Sequence, residues 1–332
     1  MLADKIAYYE ETKLMLNNTP AKYKTEFPWL KEVDSPALAN AQLNLQAAYR
    51  NFFKNPKVGF PNFKSKKKSK YSYTTNNINN FTAIKLVDNK IKLPKVGFVK
   101  IKMHRHIEEH AVIKSATIMK TSTGKYFVSI LVELEYITPE IILDSSKALG
   151  LDYSSPSFYV DSQNRKAEYP RYFRETEEKL AREQRKLSKM LQGSNNYQKQ
   201  KIKVAKIHEK STNQRKDFLH KLSHQLANDY DVICVEDLNM QNISQCLNLG
   251  KSTMDNGFGM FRDFLDYKLS YQGKKLIRID KWFPSSKMCR FCGSVNSNLT
   301  LRDRSWRCDC GQEIDRDHNA AINILNQGIL LI

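Results

Sequence analysis

Apolar residues recur at helical spacing through the N-terminal part of the chain. One helical face is formed by Leu2, Ile6, Tyr9 and Leu14. A second apolar-rich run, residues 37–49, follows Asp34-Ser35-Pro36, and a proline in the first turn after a polar residue is typical of a helix start. The pattern therefore predicts that residues 1–55 are mainly helical.

Between about Tyr71 and Tyr136 the apolar period changes to two. The segments that alternate or flank short polar turns are residues 83–87, 91–93, 99–103, 118–120 and 126–132. Alternation of this kind predicts five or six short strands. Strands of this number and spacing favour a small barrel or sandwich.

Beyond a linker around Pro139, strands alternate with helices. Strands are predicted at residues 148–153, 158–160, 232–236 and 276–280. A long charged stretch broken at Gly193 predicts an antiparallel helical hairpin, and Phe258 to Leu269 predicts a further helix. Alternating strands and helices predict an α/β domain.

Composition and charge narrow the class of partner. The 332 residues include 41% hydrophobic positions, which excludes wholesale disorder. A formal net charge of +19 predicts a polyanionic partner, and charge alone does not separate RNA, DNA and an anionic membrane surface. No apolar stretch approaches the roughly 18 residues of a membrane span, and the N-terminus lacks a signal-peptide core. We therefore expect a soluble, cytoplasmic protein.

Two basic segments are candidate nucleic-acid contacts. Residues 54–70 contain no acidic residue and interleave lysines with aromatic rings, and residues 171–221 contain fifteen basic and six acidic residues. The alternative is that each is a solvated surface. The predicted contacts are Lys54, Lys64, Lys66, Lys67, Lys68, Lys70, Arg182, Arg185 and Lys186.

Three carboxylates stand where a buried sheet should be apolar. Asp152 and Glu236 end apolar strands, and Asp317 opens a helix. Each has an ordinary alternative: Asp152 could begin a turn, Glu236 could be a solvated strand end, and Asp315 or Asp317 could cap a helix. Together, in a basic chain, they favour a Mg²⁺ cluster that cleaves phosphodiesters, because clustered acids need cations between them.

Four cysteines within 22 residues form the sharpest local motif. Cys289 and Cys292 are followed by Cys308 and Cys310, and a glycine follows the second cysteine of each pair. In a chain without secretory features this spacing predicts a structural Zn²⁺ site, with free thiols as the alternative.

Several motifs in this order resemble the TnpB (OrfB) family of insertion-sequence proteins, relatives of the compact type V CRISPR effectors. The motifs are Gly150-Leu151-Asp152, Val235-Glu236-Asp237-Leu238-Asn239, Phe283-Pro284-Ser285-Ser286-Lys287 and Asp315-Arg316-Asp317-His318-Asn319-Ala320-Ala321. The resemblance spans about Tyr71 to the C-terminus, with a weaker match before it.

The resemblance implies a combined α+β and α/β fold. Its centre would be an RNase H-like (RuvC) nuclease domain with an inserted zinc ribbon. The implied domains are a helical recognition-like module with a basic loop (1–70), a wedge-like β-barrel (71–138), the nuclease domain with its helical hairpin (147–281), the zinc ribbon (282–312) and a final nuclease helix and tail (313–332).

The resemblance also implies an activity. Family members are RNA-guided DNA endonucleases of prokaryotic elements, often labelled transposases, whose guide comes from the end of their own element. Asp152, Glu236 and Asp317 match the family's metal-binding acids, with Asp315 as the alternative third acid. The implied cofactors are two Mg²⁺ ions and a structural Zn²⁺. The implied partners are guide RNA and target DNA, without a membrane, in a monomer or a dimer.

The chain departs from the family at its front end. Family members usually begin with a basic strand and a helix-turn-helix, whereas this sequence starts inside what resembles the following helix. We expect guide binding to be the function most affected. The alternatives are a nuclease-impaired nucleic-acid-binding remnant or repressor, and a guide-independent RNase H-type nuclease.

Overall fold

The structure is a computed structural model that describes residues 1–65, 71–78, 83–246, 250–300 and 302–332. The chain divides into two compact units, Met1–Tyr136 and Ile137–Ile332. In the part of the chain that is described, none of the helices combines the length and the apolarity needed to cross a bilayer.

Two α-helices open the first unit, α1 (Leu2–Thr12) and α2 (Ser35–Lys54). The prediction of helices is confirmed, but Leu14 was wrongly assigned to the first one. Helix α1 ends because Lys13 adopts the left-handed conformation, with φ of 60°. Three short 3₁₀ segments flank α2: Pro20–Lys24, Pro28–Lys31 and Pro56–Val58.

Among the described residues of the first unit, six short strands follow these helices. They are β1 (Tyr71–Asn76), β2 (Lys85–Val87), β3 (Lys90–Leu93), β4 (Gly97–Lys100), β5 (Val112–Lys120) and β6 (Tyr126–Glu133). They form two antiparallel three-stranded sheets, ordered β1-β5-β6 and β2-β3-β4. Ile91 and Leu93 of one sheet and Ala116 of the other lie in the same apolar cluster, so the two sheets pack around a shared core.

The second unit is built on a five-stranded sheet. The strands of this sheet are β7 (Ala148–Tyr153), β8 (Tyr159–Asp161), β9 (Lys166–Ala167), β10 (Val232–Glu236) and β11 (Lys275–Ile279). Two further strands, β12 (Ser305–Arg307) and β13 (Glu313–Asp315), lie outside it. The sheet order is β11-β10-β7-β8-β9; β7, β10 and β11 run parallel, and β8 and β9 are antiparallel to their neighbours. Strands β12 and β13 pair as a separate hairpin.

Six α-helices lie in the part of this unit that the structure describes. They are α3 (Tyr172–Ser188), α4 (Asn195–Asp229), α5 (Met240–Cys246), α6 (Gly250–Asn256), α7 (Phe258–Tyr271) and α8 (Arg316–Ile329). A short 3₁₀ segment, Ser145–Lys147, precedes β7. Strands alternate with helices as expected, which confirms the prediction of an α/β region.

The two faces of the sheet bury different residues, because successive side chains on a strand alternate. Leu149 and Leu151 of β7 join the cluster that includes Leu219 of α4 and Leu265 of α7. Ala148 belongs to a second cluster on the opposite face, with residues of β10, β11 and α8. Gly150 and Asp152 therefore face α8, as Glu236 does by the same alternation on β10.

Helices α3 and α4 form the predicted hairpin, and a buried carboxylate ties them together. Glu183 of α3 is almost fully buried. Its Oε2 accepts a hydrogen bond of 2.8 Å from Gln200 Nε2 of α4 and lies 3.0 Å from Lys203 Nζ, also of α4. These contacts lower the pKa of Glu183 to about 2. The ionised carboxylate thus cross-links the hairpin.

Candidate active site and metal centre

Two of the predicted acids lie side by side on adjacent parallel strands. Leu151 of β7 pairs with Val235 of β10, so the next residues along the two strands are Asp152 and Glu236. Asp152 also pairs with Val160 of β8 and therefore lies within a strand, not at the start of a turn. Parallel strands in register bring these two carboxylates to the same face and the same end of the sheet.

The third predicted acid enters from α8, which packs on the same face. Asp315 is the N-cap of α8, because its Oδ1 accepts a hydrogen bond of 2.9 Å from the amide of His318. Asp317 lies in the first turn, is mostly buried and is close enough to Asp152 to raise the pKa of Asp152. Asp315 exerts a weaker effect on that pKa. The capping function therefore falls to Asp315, and Asp317 has the stronger effect on Asp152.

Burial raises the pKa values of Asp152 and Glu236, and at Asp152 repulsion from neighbouring carboxylates adds to the effect. The pKa of Asp152 is well above its ordinary value, first because of burial and then because of the charges on Glu236 and Asp317. Burial also raises the pKa of Glu236, although a hydrogen bond from Ser285 opposes this effect. Carboxylate oxygens are the ligand type that Mg²⁺ prefers, and a divalent cation near Asp152 would offset the repulsion on that acid.

Guanidinium groups contact the third acid. Arg316 Nη2 lies 2.8 Å from Asp317 Oδ1, and Arg304 Nη1, just before β12, lies 3.4 Å from Asp317 Oδ2. Neither arginine was predicted to belong to the site. The signal available was the Asp-Arg-Asp sequence at the start of α8, which places Arg316 beside two carboxylates.

Buried polar side chains fix the segment before the cysteine motif against the acids. The hydroxyl of Ser285 donates to Glu236 Oε1. Asn319 Nδ2 donates to the carbonyl oxygen of Met288 at 2.7 Å, and Asn323 Nδ2 donates to that of Ser285 at 2.8 Å. Both asparagines are about 1% exposed. The sequence could have indicated this role, because Asn319 and Asn323 are four residues apart and so place two amides on the apolar face of α8.

The four cysteines converge on one point. Their sulfur atoms all lie within 4.8 Å of one another. Cys289 Sγ lies 3.8 Å from Cys310 Sγ, and Cys292 Sγ lies 3.6 Å from Cys308 Sγ. A tetrahedral zinc site with metal–sulfur bonds of about 2.3 Å has sulfur–sulfur edges of about 3.8 Å. The group can therefore hold a metal ion, and its dimensions fit zinc.

The turns around these cysteines are of the expected kind. Gly293 and Gly311 adopt left-handed conformations, with φ of 78° and 88°. Their amides donate to the carbonyl oxygens of Cys289 and Cys308, each at 2.8 Å. Each glycine closes a tight turn beside one pair of cysteines, as the motif predicts.

The predicted nucleic-acid contacts are distributed over both units. Lys54 ends α2 and Lys64 lies in an exposed segment, whereas Lys66, Lys67, Lys68 and Lys70 lie outside the described residues. On α3, Lys186 Nζ lies 3.1 Å and Arg182 Nε 4.0 Å from Glu183 Oε1. Arg185 lines a groove on the outer side of the same helix. These placements leave the predicted contacts untested.

Two curated relatives match nearly the whole chain. A Streptomyces pristinaespiralis protein named "Putative RNA-guided DNA endonuclease" is 35% identical over 98% of this chain and 78% of its own length. The Escherichia coli protein named "Putative RNA-guided DNA endonuclease InsQ" is 30% identical over 92% of this chain and 78% of its own length. The chain belongs to the TnpB (OrfB) family.

Family profiles and a solved structure agree with this membership. The OrfB_IS605 profile, described as "Probable transposase", matches residues 129–247, and the profile of the "Cas12f1-like, TNB domain" matches residues 258–324. A cryo-EM structure of a Cas12f1–sgRNA–target DNA complex aligns with a TM-score of 0.62 at 15% identity, covering 97% of this chain and 78% of that one. This TnpB-family chain therefore has a mixed α/β fold that resembles Cas12f1.

Proposed function

We propose that this TnpB-family chain is an RNA-guided, Mg²⁺-dependent DNA endonuclease encoded by an insertion sequence. The observation that supports it most directly is the convergence of Asp152, Glu236 and Asp317 at one end of the sheet. Guide RNA from the end of the element and target DNA would be its partners, in a prokaryotic cytoplasm. The names of its relatives support the same activity.

In this proposal the second unit is a RuvC-like, RNase H-type nuclease domain. Strands β7 and β10 and helix α8 would carry its acids. Residues 282–312 would be a zinc ribbon between β11 and α8, with Zn²⁺ held by the four thiolates. The two sheets of the first unit would correspond to the family's wedge-like β-barrel, and residues 1–70 to its helical recognition module.

The three carboxylates would hold two Mg²⁺ ions. When bound, these ions supply positive charge that stabilises the attacking and leaving oxygens of phosphodiester hydrolysis. Glu236 is oriented by the hydroxyl of Ser285, and Asp317 is positioned by the cap of α8 at Asp315. The chain's own residues thus fix where the scissile phosphate must lie, while base pairing with the guide selects the sequence.

The surplus of basic residues would hold the guide–target duplex through its phosphates. In this assignment Arg185 and the exposed side of α3 contact the backbone, and Lys54 and Lys64 do so from the first unit. Such contacts are independent of sequence and weaken as the salt concentration rises.

The proposal is tested by the RNA that accompanies the protein. The chain is purified from cells that carry its native flanking DNA, and the bound RNA is sequenced. A single RNA species that ends at the element boundary is expected. Random RNA, or none, would contradict guide binding. Mg²⁺-dependent cutting without RNA would then indicate a guide-independent nuclease, and binding without cutting would indicate a repressor or remnant.

A further inference from the structure

Trp282 is an exposed indole beside the candidate active site. Its side chain is 81% exposed. It lies three residues after Ile279, the strand partner of Glu236, and three residues before Ser285, whose hydroxyl donates to Glu236. Three residues of chain span at most about 11 Å, so Trp282 is tied closely to the acid cluster on both sides.

The backbone holds Trp282 in a fixed position. Its amide donates to Asp280 Oδ1 at 2.6 Å, and the amide of Phe283 donates to the carbonyl oxygen of Asp280 at 3.1 Å. Phe283 packs against the apolar cluster under α8. A single exposed apolar side chain is ordinary on a protein surface. This one is unusual because a hydrogen-bonded turn presents it to solvent three residues before Ser285, which contacts Glu236.

Positive charge accompanies the ring. Lys281 Nζ lies 5.1 Å from the centroid of the Trp282 ring. Aromatic faces that stack on bases, next to cations that contact phosphates, are the usual means of holding single-stranded nucleic acid without sequence preference. An aromatic platform of this kind suits an enzyme that acts on many target sequences.

We propose that Trp282 stacks on a nucleobase of the DNA strand that crosses the acid cluster, and that it thereby positions the scissile phosphate. This inference deepens the proposed function and rests on it. Lys281 would contact the phosphate next to the stacked base. Trp282 acts through the position of the strand and touches none of the acids' oxygens, so it is a positioning residue.

The first test moves a single abasic site along the cleaved strand in single-turnover cleavage assays. Wild-type protein should lose roughly tenfold or more in rate when the missing base is the one that Trp282 stacks on. Trp282→Ala should be slow on the intact strand and should lose nothing further at that position, and Trp282→Phe should keep most of the rate. If Trp282→Ala gives the wild-type profile, the proposal is wrong.

A matched control is Trp29→Ala, which removes another exposed indole, 59% exposed, from the first unit. Whatever its effect on overall rate, this variant should retain the abasic-site penalty at the same position as the wild type. Loss of the penalty in Trp29→Ala as well would contradict a specific stack on Trp282.

The second test does not require cleavage. An Asp152→Ala protein without Mg²⁺ is titrated with single-stranded oligodeoxynucleotide, and binding is followed by anisotropy and by tryptophan fluorescence. Bound DNA should quench the fluorescence, and Trp282→Phe in the same background should abolish most of the quenching. Binding without quenching would overturn the proposal. If DNA quenches the fluorescence but the protein with Asp152 intact never cuts DNA, stacking on Trp282 is supported and the proposed nuclease function is wrong.

Discussion

Gly150 of β7 lies directly against the backbone of Ala321 in α8. A Cβ atom at position 150 would lie 2.1 Å from the carbonyl oxygen of Ala321 and 2.9 Å from the amide nitrogen of Leu325. Neither backbone atom can move without moving the helix. This close approach fixes the distance between the strand that carries Asp152 and the helix that carries Asp317.

Gly150→Ala should therefore damage both stability and the candidate site. The added methyl group forces α8 away from β7, which should cost about 1–3 kcal/mol of unfolding free energy and reduce Mg²⁺-dependent cleavage strongly. Chemical denaturation and single-turnover cleavage measure the two effects. Gly259→Ala is the control, because a Cβ there meets only the Met240 side chain at 3.7 Å. Equal behaviour of the two variants would show that the contact is not tight.

Replacing one acid of the cluster should stabilise the Mg²⁺-free protein. The pKa of Asp152 is raised in the folded state, so its contribution to stability is fully present below its unfolded value of about 3.8 and is lost as the pH rises through the raised pKa. Asp152→Asn cannot ionise and avoids this loss. Its melting temperature should exceed that of the wild type at neutral pH, and the difference should shrink toward pH 4.

The matched control is Asp263→Asn, which changes an exposed acid on α7. Its melting temperature should follow the wild type across the pH range. Added Mg²⁺ should stabilise the wild type more than Asp152→Asn. A melting temperature of Asp152→Asn below that of the wild type at neutral pH would contradict a raised pKa of Asp152.

Glu183 should stabilise the helical hairpin only while it is ionised. Its pKa is lowered to about 2 by hydrogen bonds from Gln200, Lys203 and Lys186. The contribution is therefore present above the unfolded pKa of about 4.5 and disappears as the pH falls toward 2. Glu183→Gln should lower the melting temperature at pH 7 and approach the wild type near pH 2. The exposed Glu178→Gln should show no such difference at pH 7.

Cysteine substitutions should show that zinc depends on the four clustered cysteines and not on Cys234, the buried cysteine of the sheet. Cys308→Ser should reduce bound zinc from about one ion per chain and lower the melting temperature, since structural zinc contributes to folding directly. Cys234→Ala removes a buried thiol of β10 that is not one of the four clustered cysteines, and it should leave the zinc content unchanged. Elemental analysis of the purified variants measures both. Full zinc occupancy in Cys308→Ser would contradict the assignment.

Elements with a strong periodic pattern were predictable from the sequence. The apolar run ending at Glu236 could only be a buried strand, and the break at Gly193 separates two helices whose apolar positions follow a heptad. Strand β9 was missed because two residues, Lys166 and Ala167, are too few for any period to show. Leu14 was misassigned because no local signal marked the left-handed Lys13.

The candidate site was predictable in its acids and thiols but not in its supporting contacts. A carboxylate at the end of an apolar strand is conspicuous, and so are four cysteines at zinc spacing. Ser285 and Asn319 belong to motifs that carry the resemblance, but the sequence does not show what their side chains contact. Their function depends on which segments pack together, because each bonds a partner more than thirty residues away.

The most direct test of the nuclease assignment is a cleavage assay with matched DNA. The chain, loaded with the RNA that purifies with it, is given Mg²⁺ and DNA that pairs with that RNA, and an Asp152→Ala protein is assayed alongside. We predict that the wild type cuts only the matching DNA, and that Asp152→Ala binds the same RNA and DNA without cutting. Cleavage by Asp152→Ala at the wild-type rate would contradict the assigned active site.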